Sequence, residues 1–158
     1  MYSIETSKLT KKYKNKIAVD GMNLQIKKGE LFALLGTNGA GKTTTIKMLS
    51  GIILPTSGNI KIENMNMDND VFKIKEILNI SPQETAVAPN LTVKENLEFM
   101  AGVYQIKNKD NKINKLIKDF KLEEILNKKA KTLSGGWQRR LSIAISLIND
   151  PKVLFLDE

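Results

Sequence analysis

Three stretches of this chain carry residues whose types and spacing can do phosphate chemistry. The first reads Gly36-Thr37-Asn38-Gly39-Ala40-Gly41-Lys42-Thr43-Thr44. Gly36, Gly39 and Gly41 let the backbone take conformations that a Cβ would penalise. The N–H groups around Asn38, Ala40 and Thr44 can then converge on one anion. A helix opening near Gly41 adds its positive end. Lys42 can reach β- and γ-phosphates, and the Thr43 hydroxyl can ligate Mg²⁺. A glycine-rich turn with an incidental Lys-Thr pair is the plain alternative. Its flanks argue against that: an apolar run at residues 31–35, the length of a buried strand, precedes it, and helical apolar spacing follows.

The second stretch is Leu133-Ser134-Gly135-Gly136-Trp137-Gln138-Arg139-Arg140, which leads into a helix through Leu141, Ala144, Ile145 and Ile148. Two adjacent glycines at a helix start cost about 1 kcal/mol each against Ala. They make sense if an anion must approach the exposed N–H groups closely, with Ser134 adding a hydroxyl. Ser134 as an ordinary N-cap explains the serine and leaves the glycine pair unexplained. The third is an apolar strand at residues 153–156 that ends in Asp157-Glu158. A carboxylate at such a strand end can hold Mg²⁺ through water, and Glu158 can polarise an attacking water as general base. Gln83, just beyond another short strand, is placed to coordinate Mg²⁺ or orient a water, or else is a polar loop residue.

Composition narrows the chemistry further. The 158 residues suit one domain, and 41% hydrophobic with 27% charged residues is ordinary for a globular protein. The chain has no Cys and no His, which removes disulfides, thiolate chemistry, the common soft-metal ligands and the usual general base. The net charge of +8 rests on Lys, since Arg139 and Arg140 are the only arginines. Arginine is the residue suited to bidentate reading of phosphates and guanine edges, so specific nucleic-acid recognition is not indicated. No apolar run reaches membrane-spanning length and the N-terminus lacks a signal-peptide core, which makes a cytoplasmic location the expectation.

Elements that must position these residues can be read around them. Residues 1–30 alternate as short strands separated by turns, with Tyr13 in a Lys-rich loop, where its ring could stack on adenine or pack on its own sheet. A helix over residues 42–49 ends at Gly51, and a strand follows at Ile60 and Ile62. Residues 64–70 read as loop, 71–75 as a short helix and 77–80 as a buried strand. Thr92-Val93-Lys94-Glu95 is a capping box before the apolar stripe Val93, Leu97, Met100, Ala101 and Tyr104. Residues 108–111 read as a charged loop before the stripe Ile113, Leu116, Ile117 and Phe120. Leu122, Ile125 and Leu126 suggest one more short helix.

With these motifs in hand, the whole chain resembles the nucleotide-binding domain of ATP-binding cassette (ABC) proteins. Residues 36–43 are similar to the Walker A loop, Gln83 to the Q-loop, residues 133–138 to the signature motif, and residues 153–158 to the Walker B strand with its catalytic glutamate. Tyr13 falls where the family carries an adenine-stacking aromatic. The Ser-Pro-Gln-Glu, Leu-Thr-Val-Lys-Glu-Asn-Leu and Leu-Ser-Gly-Gly stretches look most like the drug and polysaccharide exporter branch. The resemblance implies an α/β fold: a P-loop NTPase core with a RecA-like parallel sheet, an N-terminal antiparallel β subdomain and an inserted α-helical subdomain. The implied division is 1–88, 89–150 and 151–158.

Function follows from the resemblance as expectation. ATP and Mg²⁺ are the cofactors. Tyr13 and residues 36–44 bind nucleotide, Lys42, Gln83 and Glu158 are catalytic, and Thr43, Gln83 and Asp157 serve the metal. Ser134, Gly135, Gly136 and Gln138 meet the opposing subunit's ATP in a head-to-tail homo- or heterodimer. That dimer drives a membrane permease from the inner face of the membrane. Two departures stand out. Trp137 takes the place of the usual Gln, and the sequence stops at Glu158, before the family's D-loop and switch histidine. The expectation is therefore a piece of a longer protein that binds ATP better than it cleaves it. Three other readings compete: an ABC-type ATPase acting on ribosomes or DNA, a P-loop GTPase or kinase, and a non-catalytic binding product. The lack of an Asn-Lys-x-Asp motif weighs against the GTPase.

Overall fold

A computed structural model describes residues 1–84 and 86–157. The chain divides into two compact units, Met1–Leu78 and Asn79–Glu158.

The first unit is built on a long hairpin. Strand β1 (Tyr2–Tyr13) pairs antiparallel with β2 (Lys16–Lys27), Ile4 facing Ile26 and Thr6 facing Leu24. Register shifts interrupt the ladder between Thr6 and Lys12, so the pair twists and bends there. These two 12-residue strands replace the several short strands expected from the sequence. The alternation was masked because the bulges shift which residues point inward. Tyr13 is the last residue of β1 and not part of a loop. On the other side of β1 lies β3 (Ser57–Ile62), then the two-residue β4 (Met65–Asn66), for a sheet order β2-β1-β3-β4. Helix α1 (Lys42–Leu49) turns Thr45, Met48 and Leu49 inward and touches β2. Helix α2 (Met67–Ile77) packs Met67 and Ile74 against β3 and β4. It begins earlier than the apolar residues suggest, because Asn66 caps it by accepting the Asp68 N–H at 3.0 Å.

The apolar run at residues 31–35 is a correction. It forms no strand, and Leu31 and Leu35 are 98% and 88% exposed. A parallel strand needs neighbours that pair both edges and cover both faces. The four strands of this unit are spent on their own antiparallel sheet, and none of them pairs with residues 31–35.

The second unit is mostly helical. Helices α3 (Val93–Val103), α4 (Lys109–Asp119) and α5 (Gly135–Ser146) close on a core that includes Leu97, Ile113, Leu116, Leu122, Leu141 and Ile148. The capping box at Thr92 and Glu95 is formed in both directions. Helix α4 starts at Lys109, inside the stretch expected to be loop, and residues 123–125 make a single 3₁₀ turn instead of an α-helix. Strands β5 (Leu78–Ser81) and β6 (Val153–Leu156) form a two-stranded sheet. The Asp157 N–H donates to the Ser81 carbonyl at 3.0 Å, so the two strands run parallel and end side by side.

Candidate functional site

The glycine-rich loop of the first unit is held open by backbone geometry. Gly39 and Gly41 both lie in the left-handed region, at φ 85° and 87°, which L side chains adopt only at a cost of about 1–2 kcal/mol. Gly41 also has no room: a Cβ there would run into the Ala18 carbonyl oxygen and sit 3.1 Å from Val19 Cγ2. The loop is thus pressed onto β2 at the point where α1 begins. Gly41 is the N-cap of α1 and offers no side chain to the first-turn N–H groups, and no acidic residue occupies that turn. Neither a capping side chain nor a carboxylate of this turn offsets the positive end of the helix dipole, which favours an anion there.

Lys42 bends back over the loop. Its Nζ donates to the Gly36 carbonyl at 2.7 Å and to the Thr37 carbonyl at 2.9 Å, while the Ala40 N–H donates to Thr37 at 3.1 Å. Asn38 is exposed with the rest of the loop, and Thr43 and Thr44 are half-buried in the first turn of α1. A glycine-rich loop with two left-handed glycines at a helix start, together with a lysine ammonium, fits a phosphate chain. Tyr13 is 47% exposed, with Lys11 Nζ 5.2 Å from its ring centroid.

In the second unit, Ser134 is the N-cap of α5, but its hydroxyl makes no capping bond. Ser134, Gly135 and Gly136 are exposed, and a Cβ on either glycine would meet nothing within 4 Å. Among the described residues, none would clash with a side chain at these two positions. Gln138, by contrast, turns inward and donates to the carbonyls of Ala130 at 3.0 Å and Leu133 at 3.3 Å. This braces the turn before the helix. Trp137 packs against the helical core and carries the Arg140 guanidinium over its ring at 4.5 Å.

Strands β5 and β6 bring Gln83 and Asp157 to the same end of the small sheet. Gln83 is exposed two residues past Ser81, and Asp157 is buried directly after β6. Carboxylate and amide oxygens suit a hard cation such as Mg²⁺. Glu158 lies outside the described residues. Sequence reasoning overlooked Arg139, which reaches Ser81, Pro82 and Asp157 from α5. Its scarcity in a lysine-rich chain was the available signal. No helix among the described residues is long and apolar enough to cross a membrane.

The model of the ABC transporter family matches residues 19–158. The chain is 40% identical over 157 residues to the probable multidrug ABC transporter ATP-binding protein YbhF of Escherichia coli (strain K12), covering 98% of this chain and 27% of that protein. It is 38% identical over 157 residues to the linearmycin resistance ATP-binding protein LnrL of Bacillus subtilis (strain 168), covering 98% and 50%. The chain thus spans between about a quarter and a half of the length of these relatives. Among solved structures, a dimeric ATP-binding cassette in a post-hydrolysis state, bound to ADP and Pi, superposes with a TM-score of 0.87 at 28% identity, covering 98% of this chain and 73% of that one. The chain belongs to the ABC transporter family.

Proposed function

We propose that this chain supplies the ATP site of an exporter, coupling binding and hydrolysis of Mg-ATP to movement through a membrane permease. The observation that carries the reading is the left-handed Gly39 and Gly41 pair at the capless start of α1, with Lys42 folded across the loop. The relatives that support the exporter branch are named for multidrug transport, linearmycin resistance and Nod factor export.

In this reading residues 36–44 wrap the phosphates through backbone N–H groups. Lys42 leaves its two carbonyls for the β- and γ-phosphate oxygens, and Tyr13 stacks on the adenine. Thr43, Gln83 and Asp157 supply oxygens for Mg²⁺, which when bound neutralises charge on the β- and γ-phosphates. Gln83 orients the attacking water and Glu158 accepts its proton. Ser134, Gly135, Gly136 and Gln138 serve the nucleotide of a second, head-to-tail subunit, with Gln138 bracing the turn from behind. The exposure of Ser134, Gly135 and Gly136, and the lack of any neighbour among the described residues that a Cβ on either glycine would meet, support that role. The subdomain division 1–88, 89–150 and 151–158 belongs to the same proposal, with the protein at the cytoplasmic face of the membrane.

Purification of the complete protein from its source membranes tests this. The reading expects Mg²⁺-dependent ATPase activity that travels with a multi-span membrane protein. Recovery with ribosomes or RNA, released by ribonuclease, would contradict it.

A further inference from the structure

We infer that Arg139 is a positioning residue, holding from the double-glycine helix the two strand ends that carry Gln83 and Asp157. Its guanidinium Nη1 donates to the Pro82 carbonyl at 2.6 Å and to Ser81 Oγ at 3.2 Å, and Nη2 reaches the Asp157 carbonyl at 3.4 Å. These acceptors belong to the ends of two different strands, and Gln83 follows Pro82 directly. Arg139 itself lies in α5, three residues after Gly136.

The surroundings make this a fixed link. Ser81 is fully buried, and its hydroxyl also pairs with Ser142 Oγ at 3.3 Å, one turn further along α5. The Ser81 carbonyl takes the Asp157 N–H at 3.0 Å. Beyond Gln83, the chain is tied again at Ala88, whose N–H donates to Asn96 Oδ1 at 2.8 Å and whose carbonyl accepts from Asn96 Nδ2 at 3.1 Å. Gln83 therefore leaves a strand end gripped by α5 and rejoins the unit at a point gripped by α3.

Residue choice points the same way. Every basic residue of the chain outside positions 139 and 140 is lysine. A lysine ammonium is a point donor on a flexible stem and cannot span acceptors on two strands, whereas a planar guanidinium with five donors can. Bonds from a charged donor to a carbonyl are also about twice as strong as neutral ones. Arginine is used here where a fork is needed.

The inference rests on the nucleotide reading above, because it assigns Gln83 and Asp157 to the metal side of that site. The test uses the complete protein with Arg139→Lys and Arg139→Gln. Mn²⁺ binding is followed by electron paramagnetic resonance in the presence of a non-hydrolysable ATP analogue, beside nucleotide affinity measured without metal. Loss of a group that orients metal ligands typically costs about tenfold or more in metal affinity. Both variants are expected to bind Mn²⁺ about tenfold more weakly, with metal-free nucleotide affinity within about twofold of wild type. The Mg²⁺ needed for half-maximal ATPase activity rises in parallel. Arg139→Lys keeps the charge and most of the stem, so it decides the matter if Arg139→Gln does not fold. Mn²⁺ affinity unchanged within about twofold in a folded variant overturns the inference and leaves the nucleotide reading standing. A wild-type protein that binds no nucleotide overturns both.

Discussion

The Lys42 ammonium donates to the carbonyl of Gly36, six residues before it, at 2.7 Å. The loop is thereby closed on its own lysine, with Thr37 as second acceptor. Phosphate must compete with two exposed carbonyls for the same three donors. Water can replace the lysine at those carbonyls, so Lys42→Ala should leave the melting temperature nearly unchanged. It removes a charged hydrogen bond to the ligand worth about 1.5–3 kcal/mol, or at least tenfold in affinity. Calorimetric ATP titration and a thermal melt of the same variant check both halves.

The two left-handed glycines should differ in what they tolerate. Gly39→Ala meets open space and carries the φ cost alone, about 1 kcal/mol. Gly41→Ala adds collision with the Ala18 backbone, so it should cost about 2 kcal/mol or more and displace α1 from β2. Chemical denaturation of both variants measures the gap; equal losses would mean the loop is free to move off the strand.

The start of α3 should respond to acid. Glu95 accepts the Thr92 N–H at 2.7 Å while Thr92 Oγ1 accepts the Glu95 N–H at 3.2 Å. The Thr92 backbone bond, then its side-chain bond, hold the Glu95 carboxyl below its ordinary value, with Lys129 adding a smaller push in the same direction. A depressed carboxyl stabilises the fold above its ordinary pKa, and that contribution disappears as pH falls through the lowered value. Melting temperature should therefore drop across that acid window in wild type and drop less in Glu95→Gln.

Asn96 should be among the costliest polar positions of the second unit. It is buried, and its amide serves Ala88 at both N–H and carbonyl and also donates to the carbonyls of Leu91 and Thr92. Asn96→Ala leaves the part-buried Ala88 N–H without this acceptor, a loss of about 1–3 kcal/mol. Urea unfolding measures it, and hydrogen exchange at Ala88 should speed up selectively.

Local chemistry was the legible part of the sequence. The loop at residues 36–44, the capping box at Thr92 and the helix start at Ser134 each depend on a few adjacent residues, and each takes the expected backbone form. What escaped depends on distant partners. Residues 31–35 read as a buried strand because apolar runs usually are, yet a parallel strand exists only where neighbours pair with it. The bulged hairpin hid its period, and the N-cap at Asn66 extended α2 beyond its apolar residues. Beyond its scarcity among lysines, nothing in the sequence marked Arg139, because two of its three acceptors are main-chain carbonyls, at residues 82 and 157, which carry no sequence signature.

The most direct measurement is equilibrium titration of the complete protein with Mg-ATP, beside its Lys42→Ala variant and with Mg-GTP as competitor. The proposed ATP site predicts saturable ATP binding, weakened at least about tenfold by the substitution. It also predicts adenine preferred over guanine. Undetectable binding, or ATP affinity that does not depend on Lys42, would contradict it.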